Sequence, residues 1–317
     1  MKKNFFKALF AGLLLLSGLV LAVTHFGELT HFLVLLSNIE PVWIVLALFF
    51  QLGTYFSLAL VWRQALLFSG IRYPMSMLVP LAIAKLFADQ ALPSGGISGI
   101  AFIVNAFKKR EVSGEVGMGV MLISIFSFYG AYAIVAAASI LILWIHHEIH
   151  QWMVIIAAIF FMFAIAVPAG ILFLKKWGAR KLPDWLVRRP VVSGILKVYA
   201  EAPEKILHDP PLLLSAITFQ AAIFLLDTAT LWAMLHALGQ DVSLIFAFPC
   251  FVIASIVAML SLIPLGMGSF EATCVGLLVM QGTGLETALV ATLLLRGFTL
   301  WLPMIPGLWL TRQTFTS

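Results

Sequence analysis

The chain has 317 residues, of which 62% are hydrophobic and 10% charged, and its mean hydropathy is +1.07. Soluble domains carry about 45–50% apolar and about 25% charged residues, so the composition excludes a water-soluble fold and indicates a polytopic membrane protein. A membrane span takes about 20 apolar residues, which leaves no room for a sizeable soluble domain. The net charge of +5 is typical of basic loops in a membrane protein, so we expect no nucleic-acid partner.

Eight apolar runs follow one another along the chain. They lie near residues 5–24, 41–62, 77–107, 116–145, 152–174, 212–238, 244–283 and 286–310. The first run could be a secretory signal peptide, but it is longer than the usual apolar region of about 7 to 15 residues. We therefore predict that it is the first membrane span.

Two of the runs are interrupted by turn-forming residues. The sequence P-S-G-G breaks the third run at residues 93–96, and P-L-G-M-G-S breaks the seventh at residues 264–269. As helices, the legs that follow these breaks are only about 16 Å and about 20 Å long, too short to cross the hydrocarbon core. Each interrupted run therefore either makes one broken crossing or enters and leaves the membrane on the same side.

The distribution of basic residues decides between these topologies, because Lys and Arg are retained in cytoplasmic loops. If both interrupted runs are hairpins that return to their own side, every Lys and Arg except Lys85 and Arg296 is cytoplasmic. A single crossing by the first would instead place the K-K-R run at 108–110 and the basic loop at 175–211 outside. The hairpin topology is favoured, with both termini cytoplasmic and the 175–211 loop against anionic lipids of the inner leaflet.

The predicted fold is an all-α polytopic membrane protein with six full spans plus two re-entrant, broken-helix hairpins. Residues 1–317 form a single integral membrane domain, in which repeat A covers about 41–145 and repeat B about 212–310. The two hairpins enter from opposite sides, so the repeats are inverted. Interrupted segments in corresponding positions of two halves point to a transporter binding site near the bilayer midplane.

Five ionisable residues lie inside these apolar runs, and the hairpins bring them toward mid-depth. They are Lys85, Asp89, Asp227, Glu271 and Arg296. Each costs about 2.5–3.5 kcal/mol at a helix centre unless it is paired or hydrated. One interpretation is structural pairing, of Lys85 with Asp89 and of Arg296 with Asp227 or Glu271. The other, which we favour, is a polar groove that binds substrate, in which the acid left unpaired accepts a proton or a cationic group.

The hairpin tips carry small residues that leave backbone N–H groups free near the midplane. They are Ser94, Gly95 and Gly96 in the first hairpin and Gly266, Gly268 and Ser269 in the second. Each tip is a candidate anion site, although the glycines would also serve simply to reverse the chain. Glu271, in the first turn after the second tip, is either a ligand or a cap on the helix dipole.

The sequence predicts no cofactor and no metal. It contains no G-x-x-x-x-G-K-[ST] phosphate loop, no H-E-x-x-H and no G-x-S-x-G motif, and the histidines of H-H-E-I-H at 146–150 are of a kind common at membrane interfaces. Trp43, Trp144 and Trp152 are expected at the outer boundary and Trp62, Trp177 and Trp309 at the inner one, as an aromatic belt.

Two motifs resemble a known family. The run P-L-G-M-G-S-F-E from Pro264 to Glu271, followed by R-G-F-T-L-W-L-P from Arg296 to Pro303, is similar to the signature P-G-G-x-G-x-x-E…Y-R…x-W-x-P of the lysylphosphatidylglycerol synthase transmembrane-region family. A-L-P-S-G-G-I-S-G at 91–99 and Arg63 fit the same family. Leu265 departs from the signature, which has glycine there, and Ile100 and Ala101 stand where many members carry an arginine.

The resemblance implies translocation or handling of lipids with polar or charged heads, such as aminoacylated phospholipids, glycolipids, polyprenyl-linked lipids or hopanoid-type lipids. We expect a flippase or lipid transporter of a prokaryotic cytoplasmic membrane rather than an enzyme. Arg296, Lys85 and the tip amides would hold phosphate, and Asp89, Asp227 and Glu271 an amine or a proton. The alternatives are a membrane-embedded enzyme, with Glu271 or Asp89 as acid or base, a partner of a lipid-synthesis enzyme, and a small-solute or ion transporter.

Overall fold

The fold was determined as a computed structural model that describes residues 39–91, 97–177, 209–261 and 263–316. Three predicted features lie wholly or mostly outside these residues. They are the first span at 5–24, the tip residues Ser94, Gly95 and Gly96, and the greater part of the basic loop at 175–211. Within the described residues the chain is helical and contains no strand.

Ten α-helices make up the described chain. They are α1 (Pro41–Phe68), α2 (Met75–Ala91), α3 (Ile97–Lys108), α4 (Gly114–Ile145), α5 (Gln151–Trp177), α6 (Pro210–Ala237), α7 (Leu244–Leu260), α8 (Ser269–Met280), α9 (Leu285–Arg296) and α10 (Leu302–Thr316). A 3₁₀ turn at Pro264–Gly266 precedes α8, and a π-helical turn at Gly297–Trp301 joins α9 to α10.

Local sequence accounts for where the long helices begin. Proline occupies the first turn of α1 and of α6, where its missing N–H costs no helical hydrogen bond. The Asp209 carboxylate caps α6 by accepting the Leu212 N–H at 2.7 Å, and the Ser113 hydroxyl caps α4 by accepting the Val116 N–H at 3.3 Å.

Five stretches are long and apolar enough to cross a membrane: α1, α4, the Gln151–Gly170 part of α5, α6, and the continuous Leu285–Thr311 stretch of α9 and α10. These correspond to five of the six predicted full spans, and the two interrupted runs form the shorter pairs α2–α3 and α7–α8. The protein is therefore a multi-pass, all-helical membrane protein.

The outer ends of each short helix pair lie next to one another. Before α2, the Tyr73 hydroxyl donates to the Arg110 carbonyl just after α3 at 3.4 Å, and the Tyr73 and Phe107 rings are in contact. After α8, the Gln281 amide donates to the Phe246 carbonyl in the first turn of α7, also at 3.4 Å. The start and the end of each pair are thus neighbours in the structure.

The buried apolar residues form two clusters at opposite ends of the long helices. One cluster packs α2 and α3 against Leu58–Leu66 of α1 and Met118–Ile123 of α4. The other packs α7, α8 and α9 against the N-terminal end of α1 and the C-terminal ends of α4 and α6. Because the Glu40 N–H bonds the Ala237 carbonyl, α1 and α6 are antiparallel, and the two helix pairs approach from opposite ends of the bundle.

The predicted place of Trp62 in the aromatic belt is wrong. Trp62 is fully buried and packs edge-on against Phe107 of α3, with ring centroids 6.3 Å apart. Trp144, Trp152 and Trp309 are exposed, which a place in such a belt requires. Trp62 faces inward because the short pair α2–α3 covers this end of α1, which the run of apolar residues in α1 does not reveal.

The turn between α7 and α8 depends on glycine at one position in particular. Gly266 has φ +61°, in the left-handed region, and a Cβ there would overlap the Cβ of Ala258 in α7. Gly266→Ala should therefore lower the free energy of unfolding by about 3 kcal/mol, from the left-handed backbone and the overlap together, as measured by thermal unfolding in detergent.

Gly276→Ala is the matched control, because Gly276 lies within α8 with nothing near its missing Cβ, and it should be neutral or slightly stabilising. Ala258→Gly combined with Gly266→Ala should be more stable than the sum of the single effects. Additive effects would contradict the close approach of the turn to α7.

Candidate functional site

An ion pair closes the turn at the start of α8. The Arg296 Nε donates to Glu271 Oε1 at 2.6 Å, and the other carboxylate oxygen, Oε2, accepts the Gly268 N–H at 2.6 Å. Glu271 thus satisfies one of the backbone donors that a helix start leaves unpaired. The sequence left Glu271 as either a ligand or a cap on the helix dipole; the contact observed is that of a cap, and the same carboxylate also pairs with Arg296.

Arg296 joins three parts of the second helix pair. Its Nη2 donates to the Leu265 carbonyl at 2.7 Å, and its guanidinium lies 4.6 Å from the centroid of the Phe270 ring. Only 9% of the residue is exposed. Guanidinium has five N–H donors, and the contacts to Glu271 and Leu265 use two of them.

Leu265 has a left-handed backbone, with φ +60° and ψ +7°. A left-handed conformation costs a non-glycine residue about 1–2 kcal/mol, so the position suits the glycine of the family signature. The contact from Arg296 is to the Leu265 carbonyl, which any residue supplies. The departure from the signature therefore leaves the arginine contact intact.

The first helix pair is held by a different carboxylate. Lys85 and Asp89, one turn apart on α2, form an ion pair at 2.6 Å. Asp89 Oδ1 also accepts the N–H of Gly99 in the first turn of α3 at 3.0 Å, and a Cβ at Gly99 would overlap this carboxylate. About a fifth of each charged side chain remains exposed, 19% for Lys85 and 21% for Asp89.

Asp227 lies apart from both ion pairs, on α6 facing α1. Its Oδ1 accepts a hydrogen bond from Gln51 Nε2 at 2.9 Å, and the same amide nitrogen lies 3.0 Å from the Thr230 hydroxyl. No basic side chain among the described residues pairs with it. The predicted structural pairing is therefore observed for Lys85–Asp89 and Arg296–Glu271, and Asp227 is the acid left over.

The distance of each ion pair from the outer ends of its helices shows that both pairs lie in the interior of the bundle. At 1.5 Å per residue, Glu271 lies about 14 Å from the end of α8 at Met280, and Arg296 about 17 Å from the start of α9. From the opposite end of the bundle, Gly99 lies about 14 Å from the end of α3, and Asp89 about 21 Å from the start of α2. Both ion pairs are therefore well inside the apolar bundle.

The small residues of the second tip mainly shape the turn. Gly266 and Gly268 both have positive φ, and the Ser269 hydroxyl bonds the Gly266 carbonyl and the Ser261 hydroxyl at 3.0 Å each. The Gly268 N–H, which the sequence offered as an anion donor, is taken by Glu271. Chain reversal is thus the role that the geometry gives to these glycines.

Sequence reasoning missed two polar residues of α1 that face Asp227. Gln51 is 2% exposed and Tyr55 is 5% exposed, and Tyr55 interacts electrostatically with Asp227. Their spacing of four residues places both on one helix face. That spacing was visible in the sequence, but its partner on α6 was not.

Comparison with known proteins identifies the membrane domain. A model of the family described as "Lysylphosphatidylglycerol synthase TM region" matches residues 9–307. The chain belongs to this family. The match contains all five intramembrane charges. Membership indicates a membrane protein involved in handling or flipping lipid head groups. Among curated proteins none matches the chain.

Replacing Arg296 by Lys tests whether the two hydrogen bonds of its guanidinium, to Glu271 and to the Leu265 carbonyl, stabilise the fold. A single ammonium cannot reproduce the fixed geometry in which guanidinium bonds both Glu271 and the Leu265 carbonyl. We expect Arg296→Lys to lower the free energy of unfolding by about 2 kcal/mol, measured by thermal unfolding in detergent. Arg63→Lys, at an exposed position, is the control and should have no effect. An unchanged midpoint for Arg296→Lys would contradict the anchoring role.

Proposed function

We propose that the protein moves a lipid with a polar or charged head group across the cytoplasmic membrane. The observation that carries this proposal is the buried Arg296, whose guanidinium is held by Glu271 and Leu265 through two of its five N–H donors. A buried guanidinium is a strong donor to an anionic oxygen of a head group. The family's association with lipid head groups supports the same substrate class.

The two turned-back helix pairs supply the route in this proposal. We infer that α2–α3 is re-entrant from the cytoplasmic side and α7–α8 from the outside, and that the two halves of the chain form an inverted repeat. Their outer ends are paired at opposite ends of the bundle, as this topology requires. A head group would pass between the tips while the lipid tails stay in the bilayer.

Charged groups on both hairpins would receive the head group in turn. The partly exposed Lys85 and Asp89 serve the cytoplasmic half of the route, and Arg296 and Glu271 the outer half. The basic loop at 175–211 would lie on anionic inner-leaflet lipids, and an enzyme that synthesises the transported lipid is the expected partner.

Cysteine labelling tests the topology. In a Cys250→Ala, Cys274→Ala background, which removes two buried thiols, single cysteines replace exposed residues beside the hairpin ends: Arg72 and Lys108 for the first, Asp241 and Gly284 for the second. We expect an impermeant maleimide to label the first two from the cytoplasmic side only and the last two from outside only. Labelling of Arg72→Cys and Lys108→Cys from opposite sides would overturn the re-entrant hairpin.

Liposome reconstitution tests the transport itself. Vesicles with head-labelled phospholipids should show protein-dependent movement of label between leaflets, lost by at least about tenfold in Arg296→Ala, since a buried charge contact is worth more than about 1.4 kcal/mol. Glu148→Gln, at an exposed acid outside the ion pairs, is the matched control. Lipid movement equal to that of empty vesicles would overturn the proposal. Chemical turnover of lipid by detergent-solubilised protein would favour a head-group-modifying enzyme instead.

A further inference from the structure

The polar cluster between α1 and α6 has no role in the route described above. It consists of Gln51 and Tyr55 on α1 and Asp227 and Thr230 on α6. We propose that Asp227 is a proton-binding site, and that exchange of its proton drives the lipid movement; this coupling rests on the proposed function, whereas the proton site itself does not.

The surroundings of Asp227 do not fix its charge. In each of the two ion pairs a cation lies 2.6 Å from the carboxylate. Asp227 instead receives one neutral amide donor, from Gln51, which bonds a carboxylate and a carboxylic acid alike. Asp227 is partly buried, and an ionised group without a cation inside an apolar bundle is unfavourable, so uptake of a proton is the direct way to relieve this cost.

Tyr55 provides an independent sign that the cluster is incomplete. Its hydroxyl is buried and has no hydrogen-bond partner among the residues that the structure describes, although buried polar groups nearly always have one. It lies within electrostatic range of Asp227. A phenol donates to an ionised carboxylate and accepts from a protonated one, so this hydroxyl can serve both states of Asp227, directly or through one water.

A proton fits the site better than a metal ion. No group of three or more His, Cys, Asp or Glu residues that could hold a metal is present in the described part of the chain. In the proposed step one carboxylate oxygen of Asp227 forms an O–H bond with a proton delivered by water, and the proton later returns to water on the opposite side. No electrons are transferred.

Other helices packed against α6 bring few competing charges. These helices are α1, α4, α7 and α9. Their charged or titratable residues, besides Tyr55, are the exposed Arg63 and Glu115, Tyr129, Tyr132, Cys250, Glu286 and Arg296. Arg296 is engaged by Glu271, and Glu115 and Glu286 lie in the first turns of α4 and α9, far along their helices from mid-depth. Among the described residues, none of these cations pairs with Asp227.

Protonation of Asp227 would change the contact between α1 and α6, and this change can reach Arg296 through α1. Helix α1 also contacts the π-helical turn at Gly297–Trp301, which directly follows Arg296. A shift of α1 on α6 would therefore act on the segment that positions the Arg296 guanidinium. This contact connects the proton site to the head-group site.

Infrared difference spectroscopy in bilayers tests the proton site without any lipid substrate. We expect a carbonyl stretch of a protonated carboxylic acid that disappears as pH is raised, is absent in Asp227→Asn, and shifts in frequency in Tyr55→Phe. The Tyr55→Phe change removes only an unbonded hydroxyl and so keeps the fold. Glu148→Gln is the control and should leave the band unchanged. A wild-type spectrum without this band, or a band that persists in Asp227→Asn or does not titrate, would overturn the proton site.

Transport in vesicles with an imposed pH difference tests the coupling. With one proton per lipid, a gradient of about one pH unit should bias the final distribution of labelled lipid by up to about tenfold in the wild type, and Asp227→Asn should abolish this bias. A titrating band together with lipid movement that ignores the gradient would overturn the coupling alone. A titrating band without any lipid movement would instead refute the proposed function.

Discussion

The structure depends on one constraint: a polar group in the hydrocarbon interior must find its partner within the protein, because no water is there to supply one. Breaking a helix inside the membrane frees backbone N–H groups, so each interrupted helix pair needs an acceptor at its tip. A carboxylate fills this place in both pairs, Asp89 for the Gly99 N–H and Glu271 for the Gly268 N–H. Each carboxylate then needs a cation, and Lys85 and Arg296 follow.

The two pairs meet this constraint with different parts. In the second, acid and base come from separate helices, so the ion pair also joins α8 to α9, and the Leu265 carbonyl completes it. In the first, Lys85 and Asp89 share one helix and the pair holds α3 only through Gly99. The first pair is accordingly the more exposed one. The symmetry that we propose between the halves is thus one of topology and not of side-chain detail.

Asp227 departs from this pattern, since its only described partner is the neutral Gln51 amide. An acidic residue inside the membrane without a paired cation is energetically unfavourable, and such residues usually have a function. Asp227 bonds α1 across the α1–α6 seam, whereas the ion pairs lie on α2 and between α8 and α9. In the function that we propose, one site binds the lipid and another binds the proton that drives its movement.

Much of the fold was predictable because a helix that crosses lipid must be a long run of apolar residues. Helix positions followed from apolar runs, and the short pairs from P-S-G-G and P-L-G-M-G-S, since turn residues inside an apolar run have few other uses. The i,i+4 spacing of Lys85 and Asp89 predicted their ion pair. The choice between Asp227 and Glu271 as partner of Arg296 was not predictable, because it depends on which helices touch. Trp62 was misplaced for the same reason.

The amino-acid sequence by itself determined that the protein is a helical membrane protein, where its helices break, and which residues carry charge into the bilayer. These features depend on local composition and helical period alone. Only the tertiary structure decided that Arg296 reaches the Leu265 carbonyl, that Glu271 serves a backbone N–H and a guanidinium together, and that Gln51 and Tyr55 surround Asp227. Such contacts join residues up to 176 positions apart, and an apolar helix presents no pattern in its sequence that names its neighbour, because lipid and protein partners favour the same side chains.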